Sequence, residues 1–278
     1  MKIRPIYVIA HRCNDPDIIQ EAVLSGANAI ECDVRFGNLP FGDEQWFVDH
    51  DLIQPFSVKL SDWMVKAVEV ANNDERFVLA IFDIKTGNKA QVKALKDLVR
   101  AHFPANFKCI FSFGEFDSRS NFDDIKGDLS SLDGLAIDFD NDPKKIQDYF
   151  TGEGVNNFWY GNGINAATPD ALAPNVKPSI INACQIRDTE KKIKGVYVWT
   201  LEQTDAIKEY LEEIGVDGVM VNRDGNGVDS SLKPVTKANE IIAANTTLRM
   251  ATRLDNPSSS ETSIGLTAAK RIHFPHHQ

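Results

Sequence analysis

Two histidines and three carboxylates stand out for where they fall. His11 follows the apolar run IYVIA, and His50 closes the segment FVDHD. Glu31 and Asp33 end AIECD, and Asp83 ends LAIFD. Imidazole titrates near neutrality, so one ring can accept a proton while the other donates one. Cleavage of a phosphodiester needs both, a base for the attacking hydroxyl and an acid for the departing alcohol. Three crowded carboxylates repel one another unless they are protonated or bridged by a cation. Oxygen-only ligation suits a hard ion, and Mg²⁺ is favoured because it takes carboxylates, waters and a substrate phosphate together. Cys32 lies in the same strand but alternates onto its other face. Taken singly, any of these acids reads as a structural ion pair with Arg12, Arg35 or Lys85. The set, placed at successive strand ends, points to chemistry.

The elements that must position these groups repeat a simple rhythm of short apolar run, polar turn and amphipathic helix. Strands are predicted over residues 6–10, 29–34, 77–84, 108–113, 135–139, 158–160, 196–201 and 218–222. Helices are predicted over 17–24, 61–70, 90–100, 143–150, 205–214 and 235–244, with each strand leading to a helix. Strands that are apolar throughout indicate a parallel sheet covered on both faces. Eight such units predict an α/β fold, a closed (β/α)₈ TIM barrel, whose reactive groups lie at the C-terminal strand ends. Residues i and i+2 share a face, so Glu31 with Asp33, Asp83 with Lys85, and Tyr197 with Trp199 each converge on one side. The stretch 161–194 is Pro-rich and irregular, and Gly161-Asn162-Gly163 reads as a turn. We expect one barrel domain over residues 1–245 and a tail over 246–278 that packs on it.

With 278 residues the chain is long enough for one such barrel. Its formal net charge of −10 argues against a nucleic-acid partner, which needs a basic face. No apolar stretch approaches the roughly 20 residues of a membrane span. The start MKIRPIYVIAHR turns polar too soon for a signal peptide. Cys13, Cys32, Cys109 and Cys184 are spaced for neither a zinc site nor a dense disulfide framework and read as unpaired thiols. Trp46, Phe47 and Phe41 read either as a membrane-facing lip or as a packed hairpin beside the second strand. His102 reads as a surface residue. Trp159 and Tyr160 read as barrel-wall packing, and Asp138 and Asp140 share a face at the fifth strand's end.

The ordered set His11-Arg12, Glu31-x-Asp33, His50 resembles the signature of the glycerophosphodiester phosphodiesterase superfamily. Within it, RPIYVIAHR, GANAIECDV, IFDIKT, VYVWT and VDGVMVN resemble, in order, stretches of the sphingomyelinase D / phospholipase D toxins of spiders, bacteria and fungi. ATRLDNPS resembles those enzymes' tail motif, with Ser258 where Trp is expected. The resemblance runs from about residue 4 to 258. It implies that His11 and His50 are the catalytic pair and that Glu31, Asp33 and Asp83 hold Mg²⁺. It also implies that Lys85 and Arg12 face the phosphate, that Tyr197 and Trp199 line the headgroup pocket, and that Asn222 supports the site. An aromatic face there would attract choline by cation–π contact. The implied reaction removes the headgroup of sphingomyelin, ceramide phosphoethanolamine or a lysophospholipid, the substrate's own hydroxyl attacking to leave a cyclic phosphate.

Either the protein is cytoplasmic or a signal was removed before this numbering begins; with the resemblance, we expect a secreted monomer, its signal absent or removed, that touches a membrane surface transiently. Arg12 and the His50-Asp51 pair are more like the housekeeping phosphodiesterases, so hydrolysis of small soluble diesters is the alternative. A barrel that binds lipid without turnover is a third reading, against which the paired histidines speak. The venom enzymes brace their catalytic loop with a disulfide, whereas this chain has no cysteine between Asp33 and His50.

Overall fold

The computed structural model describes residues 3–38, 41–50, 57–164, 173–221 and 232–255. In chain order the elements are β1 (Arg4–Ala10), α1 (Pro16–Leu24), β2 (Ala29–Gly37), β3 (Gln45–Val48), β4 (Val58–Lys59), α2 (Leu60–Asn73), β5 (Leu79–Ile84) and α3 (Lys89–His102). There follow β6 (Lys108–Phe113), β7 (Asp133–Ile137), α4 (Pro143–Gly152), β8 (Phe158–Gly163), α5 (Val176–Glu190), β9 (Gly195–Leu201), α6 (Thr204–Lys208), β10 (Gly218–Val221), α7 (Lys233–Ala244) and β11 (Leu248–Met250). Strands β1, β2, β5, β6, β7, β8, β9 and β10 pair in parallel in that order, and β10 pairs back onto β1. The sheet therefore closes as the (β/α)₈ barrel that the apolar runs predict.

Helix starts follow local chemistry. Asp15 caps α1, accepting from the Asp17 N–H at 3.0 Å, with Pro16 in the first turn where its missing N–H costs nothing. Asn88 and Gln91 form a reciprocal capping box on α3. Asp142 caps α4.

Three departures from the predicted elements bear on the barrel. Residues 116–122 after β6 form a 3₁₀ segment instead of an α-helix, because FDSRSNF lacks an apolar stripe at helical spacing. Helix α5 fills part of the stretch read as irregular; its Pro178 sits in the first turn, where a helix tolerates proline. Gly161-Asn162-Gly163 is the end of β8 rather than a turn. There Trp159 pairs in register with Gly195, and Gly161 with Tyr197. A Cβ at Gly161 would lie 2.4 Å from the Tyr197 ring, and one at Gly195 2.4 Å from Trp159. Each glycine thus makes room for the aromatic on the neighbouring strand, and the two rings fill the barrel interior beneath the mouth.

Trp46 and Phe47 are buried, so the packed-hairpin reading holds and the membrane-lip reading does not. β3 pairs antiparallel with β2, and Trp46 packs edge-on to Phe36 at 5.5 Å and across Gly87. His102 is exposed, Trp159 and Tyr160 are buried, and all four cysteines are buried and in no disulfide.

The N-terminal end of the barrel is closed by residues 248–255. β11 pairs with the start of β1, and Ala251 enters the interior layer. Buried Asn28 donates to Ile6 O and Ala251 O, both at 3.0 Å, and accepts from Val8 N–H at 2.8 Å. The Lys108 ammonium donates to the carbonyls of Thr252 and Arg253. Arg253 in turn donates to Phe77 O. Ser258 lies outside the described residues. Substituting Asn28→Ala removes the partner of the Val8 N–H and of Ala251 O, while Ile6 O keeps the Ala251 N–H, and should cost about 2–4 kcal/mol. Urea unfolding checks this, an unchanged midpoint being the contrary result.

Candidate active site

The mouth is assembled by strand register. Asp33 and Asp83 are directly paired across β2 and β5, and Glu31 lies two residues earlier on the same face as Asp33. Each of the three offers an oxygen within 4.8 Å of the other two. Glu31 and Asp33 are buried, and Asp83 is nearly so. Lys85 enters from the end of β5, 3.1 Å from Asp33 Oδ1 and ion-paired with Asp83 Oδ2.

The turn after β1 closes over the cluster. Arg12 sits in the left-handed region, at φ 50, which aims its N–H at Glu31 Oε2 at 2.7 Å. Asn14 clamps Asp33 from both sides, donating to Oδ2 at 2.8 Å and accepting from its N–H at 2.9 Å. Asn14 has no part in the sequence-based set. Its only signal there is a polar side chain three residues after His11, and its partner is fixed by the fold. His11 Nε2 lies 3.9 Å from Glu31 Oε2. The Asp49 N–H donates to Asp33 O, carrying the chain on to His50, whose Nε2 is 2.7 Å from an Arg12 guanidinium nitrogen.

All the nominated residues except Tyr197 and Asn222 line one cavity of about 310 Å³. Asn222 lies outside the described residues. Tyr197 is fully buried one level below the cavity, its hydroxyl donating to Asp138 Oδ2 at 3.3 Å. Asp138 does line the cavity, whereas Asp140 is drawn off to Lys145 at 2.6 Å. The Trp199 indole donates to Asp138 O at 2.7 Å, which fixes its ring at the wall. Phe139, 55% exposed, meets that ring at 5.9 Å and forms an apolar rim.

The electrostatics follow from burial. Desolvation, then the charges of Asp33 and Asp83, pushes the Glu31 carboxyl well above its ordinary range. Burial acts on Asp33 in the same sense, but Lys85, His50 and the Asn14 hydrogen bond outweigh it and hold Asp33 below the usual value. Asp83 is raised by burial and by Asp33, against Lys85. Burial would lower Lys85, yet the three acids raise it. Asp138 is pushed up to about 7, by burial first and then by Asp83.

One lysine does not satisfy three acids. Glu31 Oε1 and Asp83 Oδ1 are buried with no hydrogen-bond partner among the described residues. Two orphaned carboxylate oxygens in an oxygen-only cluster fit a hard divalent cation. The donor set contains no imidazole or thiolate, since Cys32 packs in the outer layer between strands and helices.

The profile of the family "Sphingomyelinase D/Phospholipase D" matches residues 1–258. A sphingomyelinase D of Aspergillus flavus is 26% identical, covering 91% of each chain. A dermonecrotic toxin of Loxosceles laeta is 24% identical over 80% of this chain and 91% of its own. Among solved structures, an Oleispira antarctica phosphodiesterase complexed with sn-glycerol-3-phosphate superposes with a TM-score of 0.52 at 14% identity, covering 83% of this chain and 96% of that one. Phosphoribosyl anthranilate isomerase of Thermotoga maritima superposes at 0.51 with 7% identity, covering 87% of this chain and 100% of that one, a likeness of fold alone. No helix among the described residues is long and apolar enough to cross a membrane. Barrel, strand-end acids and family match agree: the chain belongs to the sphingomyelinase D/phospholipase D family and is a phosphodiesterase of the phospholipase D type.

Proposed function

We propose that the protein is a Mg²⁺-dependent phospholipase D that releases the headgroup of sphingo- and lysophospholipids by intramolecular transfer. The observation that carries this reading is that His11 and His50 open into the same cavity as a carboxylate cluster with two orphaned oxygens. Glu31, Asp33 and Asp83 would hold Mg²⁺, which would neutralise charge on the phosphoryl oxygens.

The protein's own groups supply the rest. Lys85, on the cluster's edge, and Arg12, over the cavity, offer positive charge to the phosphodiester. One histidine takes the proton of the substrate's own hydroxyl, whose oxygen attacks phosphorus. The bond from phosphorus to the headgroup oxygen breaks, and the other histidine protonates the leaving alcohol. The lipid is left as a cyclic phosphate.

Trp199, its ring fixed through Asp138 O, presents an aromatic face to a choline or ethanolamine cation. Tyr197 supports that wall from below through Asp138. Asn222, which follows Val221 in the sequence, is assigned a supporting hydrogen-bond role. The exposed Phe139 beside Trp199 supplies apolar contact with a membrane surface while the lipid is engaged. The protein acts as a secreted monomer and has no nucleic-acid partner, in keeping with its net charge of −10.

Replacing His11 or His50 by alanine should lower kcat on sphingomyelin by roughly 10²–10⁴-fold while leaving the thermal midpoint unchanged; normal turnover in either variant would remove the assignment. Chelation by EDTA should abolish activity and Mg²⁺ should restore it, which a titration monitored by choline release checks. Full activity in EDTA would rule out the metal site.

A further inference from the structure

His50 sits beyond the end of its strand. The last registered pair between β2 and β3 is Val34 with Val48, and the Asp49 N–H to Asp33 O bond is the final strand-like link before it. None of the four cysteines is in a disulfide, so no covalent bridge fixes the segment.

Two arginines reach His50 from other parts of the chain. Arg35, on β2, donates from Nε to Asp49 O at 3.0 Å and from a terminal nitrogen to His50 O at 2.5 Å. One planar guanidinium thus holds two consecutive peptide carbonyls, a geometry that the fork of an arginine matches and a single ammonium does not. Arg35 is not among the residues lining the cavity. Arg12 approaches the ring itself, with 2.7 Å between a terminal nitrogen and His50 Nε2. A guanidinium has donors and no acceptor, so Nε2 must be the accepting nitrogen and the ring proton resides on Nδ1. Arg12 is in turn anchored by its left-handed backbone and its N–H to Glu31, which ties the ring position to the acidic cluster.

We propose that Arg35 and Arg12 are positioning residues for His50, Arg35 fixing its peptide and Arg12 fixing its ring and tautomer. The inference rests on His50 being a proton-transfer group, as proposed above. Its energetic sense is orientational: a reacting group displaced by about 1 Å can lose about 10²-fold in rate. Arg35 acts without touching substrate, so its loss should appear in kcat and not in KM.

The test compares kcat and KM for sphingomyelin, with Mg²⁺, in the unsubstituted enzyme and in His50→Ala, Arg35→Met, Arg35→Lys and Arg12→Met. Thermal midpoints and the ¹⁵N shifts of the His50 ring are recorded alongside. Arg35→Met should lose about 10–100-fold in kcat, with KM within about twofold. Arg35→Lys, which can reach one carbonyl, should recover part of that loss. In the unsubstituted protein the ring proton should reside on Nδ1, and in Arg12→Met the Nε2-protonated form should grow.

Should Arg35→Met fail to unfold cooperatively, Arg35→Lys and the ring tautomer decide. Full kcat in the Arg35 variants while His50→Ala is inactive would overturn the inference alone. So would a ring proton on Nε2 in the unsubstituted protein. An active His50→Ala would instead overturn the functional reading on which the inference rests.

Discussion

The structure turns on three carboxylates held at the mouth of one barrel. The parallel register of β2 and β5 puts Asp33 beside Asp83, and the two-residue period of the strand brings Glu31 onto the same face. Burial makes this crowding expensive: Glu31 and Asp83 are raised while Lys85 and Asn14 hold Asp33 down. The surrounding groups answer that cost. Lys85 supplies one positive charge, Arg12 turns its N–H onto Glu31, and two carboxylate oxygens have no hydrogen-bond partner among the described residues. A divalent cation would complete such a site with fewer groups than further side chains would, because one ion could meet all three acids at once.

Everything below the mouth keeps that arrangement rigid. Trp159 and Tyr197 fill the barrel interior, each opposite a glycine of the adjoining strand, and Tyr197 also bonds Asp138 in the cavity floor. At the far end, Ala251, Asn28 and Lys108 close the barrel with the segment after α7. The same closed core that stabilises the fold therefore sets the height of the floor against which a headgroup would rest.

Much of this was legible in the sequence, because buried parallel strands are written as uninterrupted apolar runs and their polar ends stand out. His11, Glu31, Asp33 and Asp83 were located in this way. Other features depend on information that periodicity does not hold. Tyr197 and Trp199 share a face, but Tyr197 lies two residues deeper, about 6–7 Å down the strand, and so supports the cavity instead of lining it. Trp46 reads equally as a membrane contact or as hairpin packing until β3 folds onto β2 and covers it with Phe36 and Gly87. Pro178 hides α5, though it occupies the one turn of a helix that accepts proline. Asn14 and Arg35 are ordinary polar residues in the sequence. Their partners, Asp33 and the carbonyls of Asp49 and His50, are brought to them by tertiary register.

The central claim is that paired histidines and a carboxylate-held cation direct the lipid's own hydroxyl onto phosphorus. The measurement that tests it most directly is ³¹P NMR of the products formed from sphingomyelin and lysophosphatidylcholine in the presence of Mg²⁺. The account predicts the resonance of a cyclic phosphate as the first phosphorus product, with choline released in equal amount. An open phosphomonoester appearing first, with no cyclic species at early times, would contradict it and place water in the role of the attacking group.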